Sequence, residues 1–169
     1  MSPETTDELT QLRAQVQALT DRAEITALLD RYAHTLDQRR FDQEWARSLF
    51  TDDVELRFPV GDHQGIDGVA DSHRQTMGRF DRTQHIHTTY LIDLAGDHAQ
   101  AAFQLLGTHV YAAPDEAGRG ERPGAHFQVG NHYQADLVRT AAGWRVRRLV
   151  NEVIWTRGEP PVLTPAPRN

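Results

Sequence analysis

Four long segments of alternating polarity, one after another in the second half of the chain, constrain this sequence more than any other feature. Residues 84–94, 98–111, 126–139 and 144–156 each read as a long strand. Ala95-Gly96-Asp97 separates the first two and Ala141-Ala142-Gly143 the last two, both hairpin signals. Between the pairs, residues 113–125 (APDEAGRGERPGA) carry three glycines and two prolines, and read as a loop able to cover a pocket.

The first half is helical in period. Leu9, Leu12, Val16 and Leu19 predict a short amphipathic helix over residues 1–19. Ile25, Leu28, Leu29, Tyr32, Ala33 and Leu36 predict a core helix, with Asp21 as its cap and Glu24 three residues on. Phe41, Trp45 and Leu49 suggest a second short helix, residues 54–59 a strand, and residues 69–79 a third helix. Helices followed by consecutive strands predict an α+β fold: a cone-shaped, curved antiparallel sheet packed against N-terminal helices and enclosing a pocket. The expected organisation is an extension over 1–19, one domain over 20–158 and a proline-rich tail over 159–169.

Composition narrows the chemistry. The chain has no cysteine, which excludes disulfides, thiolate nucleophiles and thiolate-held metals. A net charge of −6 argues against a nucleic-acid partner. No apolar run is long enough for a bilayer, and the start has neither a basic region nor an apolar core like a secretory signal, so a cytoplasmic location is expected. No P-loop, GxGxxG or GxSxG motif is present, and no cofactor is expected.

Polar residues that interrupt apolar rows are the candidates for a site. Tyr32 sits within the apolar helix face, and Asp37 lies about 140° further round the helix, at its flank. His109 interrupts the row Ala101, Phe103, Leu105, Gly107, and Asn131 interrupts Phe127, Val129, Tyr133. Arg148 shares a predicted face with Trp144, Val146 and Val150, unless a bulge flips the register and turns Arg147 inward. His85 and His87 share one strand face with Thr89, whereas Ile86, Tyr90, Ile92 and Leu94 make the more apolar face; alternation alone leaves open which face lines the pocket. His-x-His also raises a metal site, but no third ligand stands at a suitable spacing, and none is expected. A carboxylate-oriented histidine facing a tyrosine suits proton abstraction beside a carbonyl.

Ile25–Leu36 followed by Asp37, then Phe50-Thr51-Asp52-Asp53, Gly65-Ile66-Asp67-Gly68, Asp93–Ala99, Gly130-Asn131-His132-Tyr133 and Gly143-Trp144-Arg145-Val146 together resemble SnoaL-like domains of the nuclear-transport-factor-2-like superfamily. The resemblance implies the helix-capped cone. It also implies kinship with dehydratases such as scytalone and bile-acid dehydratase, and with polyketide cyclases and steroid isomerases. Tyr32, Asp37 and His85 are then similar to catalytic residues of the dehydratases. His109 and Asn131 are similar to a histidine and an asparagine of scytalone dehydratase, and Arg148 to the closing-strand arginine of the bile-acid enzyme; with His87 (the competitor to His85) and Trp45 they are the expected substrate-binding residues. The expected function is a cofactor-independent dehydratase, isomerase or cyclase acting on a hydrophobic polycyclic or polyketide-like molecule in secondary metabolism, in a homo-dimer or homo-trimer. The alternative is a non-catalytic ligand-binding or dimerisation domain. An epoxide hydrolase would need an Asp-Arg-Asp relay, which has no place here.

Overall fold

The computed structural model describes residues 3–111 and 126–158; the expected loop over 113–125 and the tail over 159–169 lie outside the described residues. Three helices, α1 (Pro3–Gln38), α2 (Gln43–Leu49) and α3 (Val69–Met77), cover one side of a six-stranded sheet. Its strands are β1 (Phe50–Phe58), β2 (Gly61–Gln64), β3 (Phe80–Ala95), β4 (His98–Tyr111), β5 (His126–Thr140) and β6 (Gly143–Gly158), in the order β2-β1-β6-β5-β4-β3. All neighbours are antiparallel except β1 and β6, which run parallel. The sheet is therefore mixed rather than wholly antiparallel. The long alternating rows on β4 and β5 bury Ala101, Phe103, Leu105 and Tyr133 against the helices, as their period of two predicts.

The expected break between an N-terminal helix and a core helix is absent. No glycine or proline interrupts residues 4–38, and one helix of 36 residues runs through. Its first half carries Leu9, Leu12, Val16 and Leu19 exposed, so the predicted boundary at residue 19 is a change in burial and not in backbone. Asp21 is consequently no cap. It is buried in mid-helix, pairs with Arg139 of β5 at 2.6 Å and accepts from Trp144 Nε1 at 3.4 Å, while Arg139 stacks over the Trp144 ring. Removing one partner of such a pair strands the other. Asp21→Ala should cost on the order of 2–3 kcal/mol, visible as a lower urea midpoint at unchanged slope.

Helix α1 runs antiparallel to edge strand β3, tied to it in turn by Arg22 on the Ile92 carbonyl, Asp30 accepting from the Tyr90 hydroxyl, and Asp37 on His85. Strand β3 contains a bulge. Thr88 is opposite Gln104 and Leu91 is opposite Ala102, so Thr89 and Tyr90 together face one residue of β4. Thr89 takes φ 61°, the left-handed region that a β-branched residue avoids. The bulge switches parity: His85 and His87 before it share the helix-covered side with Tyr90, Ile92 and Leu94 after it, while Ile86 is exposed. The histidines of one candidate face and Tyr90, Ile92 and Leu94 of the other thus share one face, with Ile86 left on the opposite side. Thr89→Gly should relieve the strain and raise unfolding stability by about 0.5–1 kcal/mol, read from denaturant melts. An unchanged or lower midpoint would count against strain at this site.

Strand β6 bulges twice. The register shifts between the Leu137–Val146 and Asp136–Arg148 pairs, and again between Asn131–Val153 and Gly130–Trp155. Leu149 and Asn151 turn inward after the first shift, and Thr156 after the second. Neither arginine faces the cone. Arg147 pairs with Asp53 at 3.2 Å, and Arg148 with Glu55 at 3.3 Å and Asp136 at 3.8 Å, on the outer side of the sheet. The predicted inward Arg148 is corrected: water and carboxylates there satisfy a cation that the apolar cone would not.

Candidate active site

Between α1, α3 and the concave side of the sheet lies a cavity of about 280 Å³. Its walls are largely apolar, with Leu36, Met77, Phe80, Leu105, Phe127 and Val129 among them. Polar side chains reach it from six elements: Tyr32 (α1), His73 (α3), His85 (β3), His109 (β4), Asn131 and Tyr133 (β5), and Asn151 and Thr156 (β6).

Asp37 and His85 form the most organised pair. His85 Nδ1 is 2.7 Å from Asp37 Oδ1, the His85 backbone N–H donates to Oδ2 at 2.9 Å, and Thr83 Oγ1 donates to Oδ1 at 2.9 Å. An edge strand leaves N–H groups unpaired, and here the helix carboxylate takes one of them. A carboxylate in the last turn of a helix opposes the helix dipole. Burial also pushes Asp37 up, yet the His85 and Thr83 hydrogen bonds outweigh it and hold the carboxyl below the usual range. An ionised Asp37 fixes the His85 proton on Nδ1 and leaves Nε2 for the cavity that the ring lines.

Two further imidazoles stand close by. His109 is buried, gives its Nδ1–H to the Phe127 carbonyl at 3.1 Å, and meets His85 edge to face with ring centres 5.0 Å apart. Gly107 makes that approach possible, since a Cβ there would lie 3.0 Å from His109 Cε1 and 3.4 Å from His85 Cδ2. Burial, reinforced by His85, pushes His109 down to about 4. His73 gives Nδ1–H to the Val69 carbonyl at 2.8 Å and stands 3.2 Å from the Tyr32 hydroxyl through Nε2. Burial pushes it down to about 4, so Nε2 is bare and Tyr32 is the donor. Tyr32 itself is raised by burial.

The sequence reading missed His73, although Val69, Ala70, His73 and Met77 mark one buried helical stripe into which a histidine intrudes. His87 and Trp45 differ from expectation. His87 lies beneath the cavity, packed on Phe103 at 4.8 Å and Tyr133 at 5.9 Å; the Leu29 carbonyl is nearby, but neither ring nitrogen has a well-formed hydrogen bond among the described residues. Burial pushes it down to about 4. Trp45 sits behind His73, 5.1 Å away, and supports that ring instead of lining the cavity. Among the described residues no group of three or more His, Asp or Glu is placed to hold a metal ion.

Residues 17–150 match the model of the SnoaL-like domain. The chain belongs to the SnoaL-like family. Its helix-capped, unclosed cone is the fold of the nuclear-transport-factor-2-like superfamily. An uncharacterised protein of Mycobacterium tuberculosis is 32% identical over 140 residues, covering 80% of this chain and 86% of that protein. Among solved structures, a candidate scytalone dehydratase from Novosphingobium aromaticivorans superposes with a TM-score of 0.72 at 21% identity, covering 92% of this chain and 99% of the other. A hexachlorocyclohexane dehydrochlorinase from Novosphingobium barchaimii gives 0.70 at 17% identity, covering 90% and 99%. At these identities the structures show a shared fold. This SnoaL-like chain has no helix, among its described residues, long and apolar enough to cross a membrane.

Proposed function

We propose that this SnoaL-like protein is a cofactor-independent acid/base enzyme of the lyase or isomerase kind, a dehydratase, isomerase or cyclase. The observation that carries the reading is the Asp37–His85 pair at 2.7 Å, with the second imidazole nitrogen turned to an apolar cavity. A carboxylate-oriented imidazole beside a largely apolar cavity is built to take a proton from a bound carbon acid. His85 removes the proton and Asp37 supports the imidazolium that forms. Tyr32 and His109 border the reacting face, and Asn131 positions the substrate. Solved neighbours named for elimination of water and of chloride support a lyase reading without assigning a substrate.

The cavity volume narrows the substrate. About 280 Å³ lies just below the ~300–1,000 Å³ typical of ligand pockets. The substrate class is a compact hydrophobic molecule of one or two fused rings, in keeping with polyketide-like intermediates of secondary metabolism. Dehydration of ring β-hydroxy ketones by the wild-type chain, lost in Asp37→Asn, is the result expected. Equal turnover in both proteins removes the assignment.

A homo-oligomer belongs to the same reading. Ile86, Leu106, Gly130 and Trp155 are successive cross-strand partners over the outer sheet face, and the three large side chains among them are exposed. Light scattering that returns the mass of a single chain would rule this part out.

A further inference from the structure

The ring hydrogens of the three cavity histidines and the Tyr32 hydroxyl can each be followed to the protein atom that accepts it. His85 gives its Nδ1–H to Asp37, His109 to the Phe127 carbonyl, and His73 to the Val69 carbonyl. The Tyr32 hydroxyl is spent on His73 Nε2. Asn131 turns its Nδ2 to the Asn151 side-chain oxygen and leaves its own Oδ1 buried without a partner among the described residues. Tyr32 thus offers the cavity its oxygen lone pairs, and so faces a ligand as an acceptor.

Tyr133 is different. It is 4% exposed, lines the cavity, and has Asn151 as its cross-strand partner. Among the described residues its hydroxyl proton meets no acceptor within hydrogen-bond geometry. Burial raises the phenol, while the amides of Asn131 and Asn151 act on its oxygen in the opposite sense. The ring is held rigidly, stacked on Phe103 at 5.1 Å with 12° between planes.

Resting on the acid/base reading above, we propose that Tyr133, and not Tyr32, donates to the ligand's oxygen. The ligand class is a compact ring ketone reacting through its enol, with the oxygen at the Tyr133–Asn131 floor and the acidic carbon toward His85. In the step, His85 Nε2 takes the proton as the C–H bond breaks. The released pair forms the C=C bond, and the C=O π pair moves onto the oxygen that Tyr133 holds. The proton that His85 took from carbon, passed on to that oxygen, gives the enol and frees the imidazole, and the unpartnered Asn131 Oδ1 is the buried acceptor for the enol O–H.

2-Naphthol is a planar mimic of such an enol, and calorimetric titration of it into wild-type protein, Tyr133→Phe and Tyr32→Phe tests the assignment. Each variant loses one hydroxyl, and thermal melts confirm that each remains folded. Tyr133→Phe should weaken binding roughly tenfold or more, and Tyr32→Phe less than about threefold. Equal affinity in wild-type protein and Tyr133→Phe, a larger loss in Tyr32→Phe, or no binding to the wild-type chain at the solubility limit would each overturn it. The dependence of turnover on His85 tests the acid/base function separately. A Tyr133 result that fails while His85 still controls turnover leaves that reading standing.

Discussion

On the proposed mechanism, replacing His85 by alanine, or Asp37 by asparagine, should lower turnover by about 10²–10⁴-fold, the range that a positioned general base supplies. The two losses come from different steps of one arrangement. His85→Ala removes the proton acceptor outright. Asp37→Asn retains the shape but exchanges a carboxylate for an amide, which can present its N–H to Nδ1 and favour the other imidazole tautomer. The double variant should therefore lose little more than either single one. Added imidazole should restore part of the activity of His85→Ala and none of that of Asp37→Asn, which a general loss of structure would not do. Turnover within threefold of wild type in either variant would exclude the pair from the chemistry.

Acidification from pH 7 to pH 5 should destabilise the fold by several kcal/mol, well above the active-site carboxyl range. The cause is three imidazoles, His73, His87 and His109, each pushed by burial from 6.5 down to about 4. In the unfolded chain these groups bind protons below about 6.5, whereas in the folded chain they do so only near 4. Between those limits the unfolded state holds more protons, so stability falls as pH falls. At pH 5 this amounts to roughly 2 kcal/mol per imidazole, and the three together reach about 6 kcal/mol, a large part of a domain's 5–15. The corresponding drop in Tm is on the order of 10–20 °C for a chain of this size. Asp37, held below its unfolded 3.8, adds a second loss only as pH falls through that value and below. A melting temperature that stays level from pH 7 to pH 5 would contradict the burial of these rings as neutral groups. The triple burial also leaves His85 as the cavity histidine with a carboxylate partner, which separates its role from theirs.

The sequence was most informative where periodicity runs uninterrupted. Strands β4 and β5 alternate without a break, and their inward residues His109, Asn131 and Tyr133 follow from parity alone. Parity fails at bulges. Thr89 is not a residue that announces a left-handed backbone, so the switch between His87 and Tyr90 looks in the sequence like a conflict between two faces. The first shift in β6 turns Arg148 outward and brings Asn151 in, the second brings in Thr156, and no turn residue marks either one. Asp21 reads locally as a cap because its partner, Arg139, is more than a hundred residues away in sequence. The Asp37–His85 pairing was reached through resemblance to a family and not through spacing, because it joins a helix end to an edge strand. Which hydroxyl holds its proton against the protein, and which is free to give it to a ligand, depends on His73, and only the folded chain brings that ring to Tyr32.

On the proposed mechanism His85, oriented by Asp37, takes a proton from carbon in the cone. Deuterium exchange at the carbons beside the carbonyl of 2-tetralone, followed by NMR in D₂O, tests it without knowledge of the natural substrate. Wild-type protein should accelerate the exchange above buffer, and His85→Ala should return it to the buffer rate with its melting profile intact. Equal acceleration by wild-type protein and His85→Ala, or none by either, would contradict the account.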